Sequence, residues 1–165
     1  MMAIVTCLIG LQFGHVIVHF KVSSFKVYLS HQVLLQKKEN ATLEDIRQVL
    51  IEMGEAFLGI TRSQIESLRM CISEARRYPQ ISQIYVESQI APIEAQVKEF
   101  LDYYVAVGLL EIQDTQLAAN AFFGMLFNSV FVQSLMYSPD YLKRPTNQMV
   151  AQIVNIFLNG VKKSQ

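Results

Sequence analysis

Tryptophan is absent from this chain, and only two cysteines, four prolines and three histidines occur in its 165 residues. Cys7 and Cys71 supply neither a disulfide framework nor a metal-ligand spacing, which fits a reducing cytoplasmic compartment. Cys71 lies within a helical pattern and reads as a small apolar residue. Charge of either sign is also scarce: 14 basic and 14 acidic side chains cancel, so nothing in the overall balance announces nucleic acid, an anionic membrane or an acidic substrate. There is no GxSxG, P-loop, HExxH, paired-cysteine or dinucleotide fingerprint, so neither an enzyme nor a cofactor is expected. Repeats, low-complexity tracts and long Gly/Ser linkers are missing too, which excludes solenoids and tethered modules.

What the chain does have is apolar surface. Hydrophobic residues make up 52% and charged ones 17%, enough for one globular domain with a sizeable core. The texture changes near Asn40. Residues 1–20 carry no formal charge and are rich in β-branched side chains, yet lack both the basic start of a secretory signal and the clean run of a membrane span. They are expected to form an irregular segment. His15 and His19 stand four apart, but neither an HExxH pattern nor a third ligand accompanies them. Residues 23–36 hold a partial helical period, and the first 40 residues are set apart from a helical domain at 41–165.

From Thr42 onward the periodicity predicts five helices. Thr42 with Asp45 makes a capping box, and Leu43, Ile46, Leu50, Met53, Phe57 and Ile60 follow at helical steps. Thr61 with Gln64 offers a second box. In the next helix Ile65, Leu68, Ile72 and Ala75 form the apolar stripe, with Arg76 and Arg77 in the last turn against the dipole. Pro79 bars continuation past Tyr78 and suits the first position of a new helix. That helix should kink or break at Pro92, whose ring clashes with the Ser88 carbonyl, and end at Gly108 in a left-handed cap. Asp114 caps a fourth helix reaching Tyr137 without a charged side chain. Its Asn120, Asn128, Ser129, Gln133 and Ser134 argue against a membrane span. The fifth begins at Pro145, with Lys162 and Lys163 at its end.

The passage from Ile72 to Phe131 resembles the C-terminal regulatory domain of TetR-family transcriptional repressors, and the AefR-like group in particular. The resemblance rests on Glu74, Ala75, Arg76, Tyr78 and Pro79, followed by Gly108, Leu110, Asp114, Ala118, Ala119, Phe122, Gly124 and Met125 at the family's spacing. It covers Thr42 to the end. It implies an all-α domain that dimerises through a four-helix bundle and senses a small apolar or amphipathic effector in a bacterial cytoplasm. Upstream, His19, Phe20 and Lys21 match only a fragment of the family's DNA-binding unit, and the residues that follow break its pattern. Specific DNA binding is therefore expected only if an intact helix-turn-helix is supplied. A shortened or frameshifted start is the expectation for residues 1–40. The alternative is an interaction module that pairs with an intact homologue.

Two sets of candidate residues follow. Met53, Phe57, Met70, Phe100, Tyr103, Tyr104, Phe123 and Phe127 are large and adaptable or polar-tipped, and are candidates for an effector pocket. Leu117, Ala121, Met125, Val132 and Met136 on the fourth helix, with Met149, Val150, Ile153, Val154 and Phe157 on the fifth, are candidates for the dimer interface. Both of those helices show more apolar perimeter than one neighbouring layer can cover.

Overall fold

The computed structural model describes residues 8–13, 16–21, 40–59, 62–136 and 145–162. Two antiparallel strands come first, β1 (Leu8–Phe13) and β2 (Val16–Lys21), in a register that sets Leu8 opposite Lys21 and Phe13 opposite Val16. This corrects the expectation of an irregular segment, because the β-branched Val16, Ile17 and Val18 favour an extended backbone. His19 lies on β2, so the four-residue helical spacing from His15 does not apply to it. Among the described residues after Asn40 every regular element is helical, apart from the single bridge between Leu110 and Lys162.

Helix α1 spans Leu43–Leu58 and opens as the sequence demands. The Asp45 amide donates to Thr42 Oγ1 at 3.2 Å, and the Thr42 amide donates back to Asp45 Oδ2 at 2.8 Å. Ile46, Leu50 and Met53 are fully buried. Gly54 leaves no room for a side chain: a methyl group built there would stand 2.7 Å from Val150 Cγ1 and 3.4 Å from Leu126 Cδ2. Gly54→Ala is therefore expected to lower stability by about 1–3 kcal/mol through overpacking. Urea unfolding reads the loss as a lower midpoint with an unchanged slope; an unshifted midpoint would show that the packing gives way freely.

Helix α2 spans Arg62–Glu74, with side-chain surroundings described from Ile65. Its inward face is Ile65, Leu68 and Cys71, while Ile72 is 54% exposed. The stripe thus advances by threes and turns Cys71 inward in place of Ile72. The helix also closes earlier than the sequence suggests: the Arg77 and Tyr78 amides both donate to the Glu74 carbonyl, so Arg76 and Arg77 lie in the turn after it. There the Arg77 guanidinium packs over the Tyr78 ring at 5.3 Å. The start of α2 at Thr61 lies outside the described residues.

Pro79 then opens α3 (Pro79–Tyr85), which continues through a wide π-turn (Val86–Ile90) into α4 (Ala91–Ala106). Pro92 has no amide hydrogen to give and crowds the preceding turn. The extra residue in the π-turn accommodates it without breaking the helix. Gly108 ends α4 at φ 77°, and the Leu109 and Leu110 amides fold back onto the Tyr104 carbonyl at 3.0 and 3.1 Å. The connection is pinned to the far end of the domain by the Glu111 amide, which donates to the Val161 carbonyl at 2.8 Å.

Helix α5 (Thr115–Val130) starts on Asp114, whose Oδ1 accepts from the Leu117 amide at 2.9 Å. Thr115 Oγ1 donates to Asp102 Oδ1 at 2.6 Å, and Lys98 donates to Asp102 Oδ2, tying the start of α5 to α4. Those two hydrogen bonds hold the Asp102 carboxyl below its usual range. A second π-turn, Phe131–Leu135, extends α5, and Arg69 Nη2 of α2 donates to its Ser134 carbonyl at 2.7 Å. Helix α6 (Thr146–Val161) has Pro145 as its cap and Lys162 in extended backbone after it. Residues 137–144 and Lys163 lie outside the described set, as does the proposed helix at 23–36.

Candidate effector core and dimer face

One apolar core joins α1, α4, α5 and α6. Val97, Phe100, Leu101 and Tyr104 come from α4, Ala119, Phe122, Phe123 and Leu126 from α5, and Val150, Val154, Phe157 and Leu158 from α6. Its aromatic side chains pack against one another: Phe57 lies 5.4 Å from Phe123, Phe100 4.8 Å from Tyr104, and Phe122 5.2 Å from Phe157, between ring centroids. Of the pocket candidates, Met53, Phe100, Tyr104 and Phe123 are buried within this core, and Phe57 and Tyr103 border it. Phe127 is half-buried and meets the Phe131 ring at 6.2 Å.

Met70 belongs elsewhere. It borders a smaller cluster at the α2–α3 seam, formed by Cys71 and Ile81 and flanked by Tyr78 and Tyr85. Burial pushes the Cys71 thiol up. It also raises the Tyr85 phenol to about 12, with the Cys71 charge adding to the effect. Because the folded value lies above the ordinary 10.0, the contribution of Tyr85 to stability is intact below pH 10 and lost as pH rises through about 12. Alkaline unfolding curves of the wild type and Tyr85→Phe should therefore diverge across that window, with the wild type falling faster. Parallel curves would count against burial of the phenol.

The outward positions of α5 and α6 mix exposed apolar residues with polar ones such as Asn120, Asn128 and Gln152. Leu117 is 65%, Met136 62% and Ile156 63% exposed, and Ala121 and Phe131 are exposed with them. Met125, Val132, Met149 and Ile153 are half-buried. Val150, Val154 and Phe157, also interface candidates, are instead closed into the chain's own core. Helix periodicity marked both faces of α6 as apolar without telling the inner from the outer. Thr115–Leu135 is long and apolar enough to cross a membrane by length and composition, a test that the core helix of a folded domain also passes. Its inner face, from Ala119 through Phe122 and Leu126 to Val130, packs within the chain.

Sequence reasoning did not single out two polar features. A cleft of about 170 Å³ lies between the start of α1 and the end of α6, where Arg47 donates to Asn155 Oδ1 and to Glu44 Oε1, both at 3.1 Å. Gln96 on α4 has a buried Oε1 with no hydrogen-bond partner among the described residues. A glutamine at the edge of an apolar helix face was the available signal. No group of three or more His, Cys, Asp or Glu side chains among the described residues is arranged to hold a metal ion.

The fold is shared with known regulators. A TetR-family transcriptional regulator structure from Mesorhizobium loti MAFF303099 superposes with a TM-score of 0.69 at 18% identity, over 86% of this chain and 70% of that one. The flavonoid-responsive regulator FrrA superposes with a TM-score of 0.65 at 18% identity, over 88% of this chain and 77% of that one. No curated protein matches the sequence. The model of the AefR-like transcriptional repressor C-terminal domain matches residues 48–160, the stretch that holds most of the core and both π-turns. The chain belongs to the TetR family of transcriptional regulators, with an AefR-like C-terminal domain.

Proposed function

We propose that this chain is the ligand-sensing and dimerisation domain of a cytoplasmic TetR-like transcriptional regulator. The observation that carries the reading is that Leu117 and Phe131 on one helix and Ile156 on the other are large apolar side chains left exposed, although the opposite faces of both helices are already buried in the core. A second copy covers such side chains most economically, because a two-fold axis sets each patch on itself. A small apolar or amphipathic effector then acts by population shift, binding one arrangement of the helices more tightly and so changing how the two subunits sit. Duplex DNA enters only through a helix-turn-helix, since phosphate and base contacts need a basic recognition element.

Sedimentation at micromolar concentration tests the first half: a dimer is expected, and a folded monomer would sink it. Thermal melts with a panel of small uncharged ring compounds test the second. A compound bound at 100 times its Kd raises stability by about 2.7 kcal/mol, and a flat response across the panel would remove the sensing role.

A further inference from the structure

Gln96 is half-buried on α4, and one of its polar atoms, Oε1, is shut off from solvent with no partner among the described residues. A buried carbonyl oxygen in that state costs stability, whereas leucine would fit a helix as well and bring no such cost. Gln96 lies one turn before Phe100 and two turns before Tyr103, so the three share one stripe of α4. Phe100 is buried and Tyr103 half-buried, and both rings meet Tyr104 edge-on, at 4.8 and 5.0 Å. One turn upstream come Pro92 and the π-turn Val86–Ile90, where the regular helical ladder is already interrupted.

We propose that Gln96 is the polar anchor of an effector site on this stripe, accepting a hydrogen bond from the hydroxyl group of a flat, uncharged aromatic molecule that packs beside Phe100 and Tyr103. The proposal rests on the ligand-sensing reading above and names its chemistry. A neutral acceptor on the same helix stripe as two aromatic side chains selects a neutral donor, because an ionised ligand would be buried there without a counter-charge. An apolar molecule lacking the donor would leave the Gln96 oxygen unpaired, and sites of that kind discriminate most strongly.

Calorimetric binding of naphthol and methylnaphthalene to the full chain and to Gln96→Leu provides the test, together with melts of both proteins alone. The wild type is expected to bind naphthol at least about tenfold more tightly than methylnaphthalene. Gln96→Leu should bind the two alike and melt about 2–4 °C higher without ligand, as expected when a binding group is held at a cost to stability. A naphthol preference that survives in Gln96→Leu, or equal binding of both probes by the wild type, would overturn the anchor. A variant that melts lower would do the same by revealing a structural role for the amide. Should neither probe bind the wild type, the aromatic-alcohol assignment fails, while the broader sensing reading is still decided by the compound panel.

Discussion

Ile156→Glu should turn a dimer into folded monomers. Ile156 is 63% exposed on α6, as are Leu117 of α5 (65%) and Met136 after its π-turn (62%). A symmetric interface of ordinary size buries about 1,600 Å² in total, a scale that two helix pairs can supply. A two-fold axis places the substitution in the interface twice, so two unpaired carboxylates are desolvated together. A penalty of about 2.7 kcal/mol already raises Kd about 100-fold, and a buried unpaired charge exceeds that. Because the side chain touches solvent within one subunit, helical content should be unchanged, which separates dissociation from unfolding. Light scattering at micromolar concentration reads the outcome. If the unmodified chain is itself monomeric with all its helices formed, the dimer reading fails and the first 40 residues become the candidate cover for these side chains.

Phe122→Ala should have the largest effect on the fold itself. Phe122 is fully buried where α5 faces α6, its ring 5.2 Å from Phe157 and 5.7 Å from Phe123. Truncation removes the ring and leaves a cavity whose walls are aromatic side chains that cannot easily collapse, costing about 3–5 kcal/mol. For a domain of this size that corresponds to a melting temperature lower by about 10 °C. Both denaturant and thermal unfolding measure it, and a loss under about 1 kcal/mol would mean that the core repacks around the gap.

Most of the helical plan was legible because its boundaries are written in local chemistry. The Thr42 and Asp45 pair, Pro79, Gly108 and Asp114 each act within a few residues of themselves, and each closes or opens a helix where expected. Facing was harder. Ile72 and Cys71 are adjacent apolar residues, and only the packing of α3 against α2 turns the smaller one inward. Val150 and Ile153 belong to one apolar surround, and tertiary contacts decide that the first is core and the second edge. The strands upstream were missed because a short β-branched run has no helical period to betray it and no neighbour to confirm its partner. Gln96 and the link from Arg69 to Ser134 depend on contacts between helices that no spacing within one helix encodes.

The π-turn at Phe131–Leu135 can be viewed as one inserted residue that α5 absorbed instead of breaking. Each helical residue turns the chain by about 100°, so the insertion rotates everything beyond it by that angle relative to an unbroken helix. On a straight wheel Met136 falls about 100° from Leu117, and the inserted residue brings it back into line, whereas Phe131, ahead of the insertion, already lies within about 40°; both are exposed in the structure. It also makes the segment a phase setter: deleting Gln133 would permit a regular helix but swing Met136 and the lead into α6 about a quarter-turn around the axis. The carbonyl grasped by Arg69 would be displaced along with them. In this lineage a single-residue deletion there would be more disruptive than many substitutions, because it re-aims a surface without altering its composition.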